Sequence, residues 1–243
     1  MIRFFLCVSI LFYTHPIYSS VCTFKNEPEI VEENNELLAM VFEEEDDEVF
    51  LSPFKEEDEA YDDYINWVQE NFMTDPYDLL ERQKDIFVKF GFSPYNFDLI
   101  LNREAGSIRD MNCLEALLFL EHNSFSPLQM IPSEFLAYVL KKESLLRIYF
   151  TSVKKLEANG KFFEEDVVHN IEEGWEYITH IHSHPFVIDN PAGDIAGTTI
   201  PSGGDLLIFR KHRNELELQK AWITNGISSI VVRSDEFDLF ETQ

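Results

Sequence analysis

Basic residues are scarce in this chain: 19 Lys and Arg stand against 45 Asp and Glu in 243 residues, a formal charge of -26. A phosphate backbone is repelled by such a mean field, and no Lys/Arg stripe with interleaved aromatics overrides it locally. Nucleic acid is therefore excluded as a partner, and anionic membrane surfaces are disfavoured. A basic protein or peptide remains electrostatically allowed. Cysteine is nearly absent, with three in all. Setting aside the one in the N-terminal leader, Cys22 and Cys113 can pair in an oxidising compartment but cannot carry the fold, so stability must come from a hydrophobic core. Long apolar runs are missing as well. The longest, FFLCVSILFY, is too short to span a bilayer. With Arg3 before it and Ser19 and Ser20 after it, it makes residues 1–20 read as a secretory signal, with an uncleaved anchor as the other reading. The mature protein is then expected to be secreted or periplasmic, with no stable membrane insertion.

Apolar residues make up 45% of the chain and include 22 phenylalanines, ample for one good core. From Glu27 to Asp62 the chain carries sixteen acids and one lysine, which predicts an acidic flexible arm over 21–63. The apolar islands LLAMVF and VFLSPF within it allow docking on the folded domain, or shielding of a site, as the other reading. A helical extension over 64–109 follows, with apolar spacing from Ile65 to Phe90, a second helix starting at Pro76 and a stop at Gly91. The expected folded domain, 110–243, opens with a helix from Asp110 to His122. EFLAYVL, LLRIYFTSV, GKFFEEDVV and WEYITHIHSHP then read as strands, although Ser133 also permits a helix over the first. A helix from Ser202 to about Arg213, strands LQKAWIT and SSIVVRS around an Asn225-Gly226 turn, and a short piece at 237–240 complete an α/β module with a mixed central sheet and no internal repeat.

The only dense set of metal-competent side chains lies between Ile178 and Phe209. A strand through this stretch places His180, His182 and His184 on one face, because side chains alternate with a period of two. Two of these imidazoles and one carboxylate leave a fourth position for water, the usual plan of a hydrolytic zinc site. Asp205 is the carboxylate of choice, three residues beyond Ser202 in PSGGD. Read alone, that segment is ordinary helix punctuation with a capping serine and an acid at the third helical position. His182, His184 and Asp205 are thus the expected metal ligands and Zn2+ the expected cofactor. The general base must be another carboxylate: Glu134, Glu143, Glu157, Glu164, Glu165 and Asp166 are the candidates. Glu134 stands out at the mouth of an apolar strand, and Glu143 is its rival. Ser202 can donate its hydroxyl to a developing oxyanion. His169 and His212 read as ordinary surface or core histidines.

The sequence E134-x-x-A-x-V, H182-S-H184-P and S202-x-x-D205 resembles the JAMM/MPN+ zinc metalloprotease (JAB domain) family, and in having a leader it is similar to a secreted bacterial branch. The resemblance covers about the last 110 residues. It implies a JAB/MPN-like, cytidine-deaminase-like α/β fold with a mixed sheet flanked by helices. It also implies zinc on His182, His184 and Asp205, Glu134 as general acid/base, Ser202 at the oxyanion, and hydrolysis of a peptide or isopeptide bond in a protein or peptide substrate. The chain departs from the pattern in a longer spacer between Pro185 and Pro201, and in Ala137 where the family often has glycine. Two other classes remain: a catalytically silent, JAMM-like protein-binding module, and a structural or interaction protein without metal.

Overall fold

The computed structural model describes residues 22–46, 48–54, 59–155, 160–187 and 197–242. The leader, Glu157 and most of the long spacer lie outside them. Eight strands form one sheet: β1 (Glu29–Glu33), β2 (Leu37–Glu45), β3 (Ser107–Asp110), β4 (Glu134–Lys142), β5 (Leu145–Val153), β6 (Glu176–Ser183), β7 (Lys220–Thr224) and β8 (Ser228–Arg233). Their order is β1-β2-β5-β4-β6-β7-β8-β3. Every pairing is antiparallel except that of β6 with β7, so the sheet is mixed.

Helices cover both faces, and the alternation along β4 shows why both must be covered. Leu136, Tyr138 and Leu140 enter one core with Leu206 and Phe209 of α6 (Gly203–Leu216), Val167 of α5 (Glu164–Glu172), and Phe97 and Ile100 of α3 (Tyr95–Leu101). Phe135, Ala137 and Val139 point the other way, to Val68 of α1 (Glu59–Asn71) and Leu114, Leu118 and Phe119 of α4 (Cys113–Phe125). A strand buried on both faces reads as a continuous apolar run, which is how EFLAYVL looks. Glu134–Lys142 is accordingly a strand and not the helix that Ser133 permitted. The remaining helix, α2 (Pro76–Lys89), starts as expected with proline in its first turn, its cap Asp75 accepting from the backbone of Tyr77 and Asp78.

Three expectations are corrected. The acidic stretch over 21–63 is not a flexible arm where it is described. β2 pairs along its whole length with β5, and Leu38, Ala39, Met40 and Phe42 are buried. Most of the acids stand at exposed positions, while the buried Glu44 accepts from the backbone N–H groups of Lys25 and Asn26. Charge density alone overstated disorder because the apolar alternation inside the run was enough to make a strand. Likewise the segment over 64–109 is no separate extension: it supplies β3, paired with β8, and core residues of both faces. Finally, EEDVV belongs to a helix and not a strand. Glu164, Glu165 and Asp166 occupy its first turn, where the helix dipole favours acids, and this outweighs the β preference of Val167 and Val168.

A disulfide joins Cys22 to Cys113 at the start of α4, tying the first described residue to the core. No helix among the described residues is long and apolar enough to cross a membrane.

Candidate metal centre

The parallel pair β6–β7 needs a crossover, and α6 provides it, so the carboxyl end of β6 and the amino end of α6 meet at the strand ends of the sheet. That junction is where open α/β sheets place ligands. His182 arrives on β6 with its ring on the α6 side, packed against Phe209 at 5.8 Å between centroids. His184 follows just past the strand, held by its backbone N–H on Thr224 O at 2.8 Å. Asp205 arrives from the first turn of α6. Ser202 caps that helix reciprocally: its Oγ accepts from Asp205 N at 3.1 Å, and Asp205 Oδ2 accepts from Ser202 N at 2.7 Å. The capping reading of PSGGD is therefore correct, and the same cap aims Asp205.

The donor atoms converge. His182 Nε2 and His184 Nε2 lie 3.1 Å apart; the first is 3.3 Å from Asp205 Oδ1 and the second 3.5 Å from Oδ2. Bonds of about 2.0–2.2 Å to a tetrahedral ion set neighbouring ligand atoms about 3.3–3.6 Å apart, close to the separations seen here, so the three residues could hold an ion. One ligand atom from each residue falls within 4.8 Å of the others, and among the described residues this is the group of three that can hold an ion. The two-nitrogen, one-oxygen set suits zinc. His184 Nδ1 lies 2.8 Å from Thr198 O; as the N–H of the ring it donates there and leaves Nε2 to the centre. His182 Nδ1 is buried with no partner among the described residues.

Without a cation, the imidazoles and the carboxylate act on one another electrostatically. Burial disfavours the charged His184, but Asp205 beside it, helped by Glu134, raises its pKa to about 9. Burial likewise works against Asp205, and His182 and His184 outweigh it, holding the carboxyl far below the usual range. His180 lies one layer deeper, bonded through Nδ1 to Tyr177 Oη at 2.8 Å and enclosed by Tyr138, Phe209 and His212. Burial first, and then His182 and His212, push its pKa well below the ordinary value, and it stands outside the group of three convergent donors. The comb therefore runs from core to centre. His212 is buried against it, while His169 is exposed.

Among the described acids, Glu134 alone of the base candidates is at this end. Leu136 pairs with His182 at the end of the β4–β6 register, and Glu134, two residues before Leu136 and so on its face of the sheet, is near enough to His184 to raise its pKa. Glu143 sits in the β4–β5 turn, nine residues along the strand from Glu134, or about 30 Å at the strand rise. Glu164 is engaged by Lys211, and Glu165 and Asp166 are exposed on α5.

Several supporting groups carry no motif. Ser183 Oγ, between the two histidines, accepts from Phe135 N at 3.0 Å and so fixes the start of β4 beside Glu134. Tyr64 Oη donates to Asn225 O at 2.6 Å, and Asn225 Nδ2 to Gly197 O at 2.8 Å. Gly197 N in turn bonds Pro185 O at 3.0 Å, closing the ends of the spacer. Gly197 has φ 67, and a Cβ there would lie 2.4 Å from the Phe186 ring, so only glycine fits. Asn225-Gly226 was legible as a turn; its role as a brace was not.

Comparison of the chain with protein-family models, with curated proteins and with solved structures finds no match. What stands on the structure is a partly buried His-His-Asp cluster at the strand ends of a mixed α/β sheet.

Proposed function

We propose that the protein is a JAMM-like zinc metallopeptidase that hydrolyses a peptide or isopeptide bond. The observation that carries the reading is the convergence of His182, His184 and Asp205 with Glu134 on the adjoining strand, the four positions of the motif brought to one end of the sheet. Zinc held there supplies Lewis acidity, which acidifies a water and polarises the scissile carbonyl. In this reading Glu134, one strand away and outside the ligand set, takes the proton from the attacking water and returns it to the leaving amine. Ser202 still has its hydroxyl proton to give, since Oγ only accepts in the cap, and that proton is available to an oxyanion. Asp205 stays ionised and so serves as a ligand, not as the acid/base.

The compartment is proposed to be extracellular or periplasmic. The Cys22–Cys113 disulfide supports an oxidising environment.

Glu134→Gln separates the roles. The variant is expected to bind zinc like the parent and to lose cleavage of a mixed peptide library by about 10²- to 10⁴-fold. Undiminished cleavage by the variant contradicts the assignment of Glu134. A parent that holds zinc and cleaves nothing across that library contradicts hydrolysis and leaves a zinc-bearing binding module.

A further inference from the structure

Beside the centre lies a cavity of about 290 Å³ whose walls include His184 and Ser202 on one side and Phe87, Phe92 and Phe97 on the other. The aromatic wall comes from α2, α3 and the turn between them, outside the stretch that carries the metal motif. Its shape follows from the end of α2. Gly91, at φ 83, bonds back to Val88 O, and Phe92 N bonds to Phe87 O at 3.0 Å, the two bonds of a Schellman cap. That cap folds Phe92 over Phe87, with centroids 5.6 Å apart, and Phe97 continues the wall 4.9 Å from Phe87. Phe92 nevertheless remains 55% exposed, a large apolar surface at the mouth of a cavity.

Two of the polar side chains around this space are already engaged. Asn96 donates through Nδ2 to Glu241 O and accepts at Oδ1 from Glu241 N. Thr198 spends its carbonyl on His184 and its hydroxyl oxygen accepts from Ile200 N. Among the described residues no carboxylate lines the cavity, and an apolar side chain entering it loses water on both sides.

We propose that this cavity is the specificity subsite of the enzyme, receiving a large apolar or aromatic side chain of the residue next to the scissile bond. The inference rests on the hydrolase reading and narrows its substrate: despite a charge of -26, the residue selected at this position is apolar and not basic. A side chain seated there lies against His184 and Ser202, which fixes the neighbouring carbonyl relative to the metal centre.

The test uses the zinc-loaded full chain on a mixed peptide library, with cleavage sites read by mass spectrometry, and compares it with Phe92→Glu. Phe, Leu, Met and Tyr are expected to be enriched at one position flanking the cut, by roughly tenfold to a hundredfold in kcat/KM over small residues. Phe92→Glu, at an exposed rim position, is expected to keep its zinc and move that preference towards Lys and Arg. Cleavage without enrichment, or the same profile in the variant, overturns the subsite. A second arm needs no catalysis: N-acetyl-phenylalaninamide, and not N-acetyl-lysinamide, is expected to shift the NMR resonances of Phe92, Phe97 and Ile200. Equal or absent shifts overturn the subsite whether or not peptides are cleaved. Selective shifts with no cleavage overturn the hydrolase reading and leave the pocket standing.

Discussion

His122 shows how a single side chain far from any motif supports the site. Its Nδ1 lies 2.7 Å from Ser152 Oγ and its Nε2 3.2 Å from Ser133 O, the residue before Glu134, so it fixes the strand at the point where the candidate acid/base begins. Burial lowers its pKa to about 4, with the bond to Ser133 opposing. An unfolded histidine titrates near 6.5, so between about 6.5 and 4 the unfolded chain takes up a proton that the folded one refuses. Stability from this residue is intact above 6.5 and is lost as pH falls, by about 3 kcal/mol at most. Urea unfolding of metal-free protein at pH 7 and pH 5 is expected to show a steeper loss in the parent than in His122→Gln. Equal losses would remove His122 from the account. The sequence offered no route to this: a lone histidine in a helix is as compatible with the surface as with the core. The convergence of His182 and His184 was legible because alternation along an extended chain puts them on one face, and the aim of Asp205 because its cap is a local motif.

Among elements, β6 and α6 were readable in type and nearly in extent, and with them the three residues that converge at their junction. What the sequence hid was the coupling between elements distant in the chain. Tyr64 on α1 reaches Asn225, Asn225 reaches Gly197, and Gly197 leads into Thr198, whose carbonyl orients His184. None of these bonds has a spacing signature, since each runs from a side chain to the backbone carbonyl of a residue distant in the chain. Gly197→Ala tests the chain at its narrowest link. The added methyl meets Phe186 in a backbone conformation that alanine adopts poorly. Expected results are a stability loss of about 1–3 kcal/mol by denaturant titration and zinc affinity lower by about 10- to 100-fold, the effect typical of displacing a group that orients a ligand. Unaltered zinc affinity in a folded Gly197→Ala protein would show that Thr198 does not set the position of His184. The helix misread as a strand, EEDVV, errs for a plainer reason: short segments with two valines fit either state, and the acidic first turn decides.

For the whole molecule, the sheet is longer than the motif region predicts, because β1, β2 and β3 come from the stretches read as arm and extension. Pairing between residues a hundred positions apart, as in Leu37 with Val153, leaves no local trace. One consequence reverses an expectation of the arm reading. Deleting Glu27 to Asp62 removes β1, β2 and the start of α1, so the product is expected to be unfolded by circular dichroism and not a more open enzyme. The Cys22–Cys113 bridge closes a span of 91 residues over this same region. Replacing both cysteines by serine is expected to cost about 2–5 kcal/mol in urea unfolding, with the largest part arising in the unfolded chain. A change within 0.5 kcal/mol would show that β2 holds its place without the bridge.

The central claim is that three residues from two elements form one zinc centre, and metal content tests it most directly. The parent protein, stripped and reconstituted, is expected to carry one zinc per chain by elemental analysis. Asp205→Ala and His184→Ala are expected to carry essentially none while Glu134→Gln carries one. A folded parent that takes up no zinc, or an Asp205→Ala variant that takes up as much as the parent, would contradict the account.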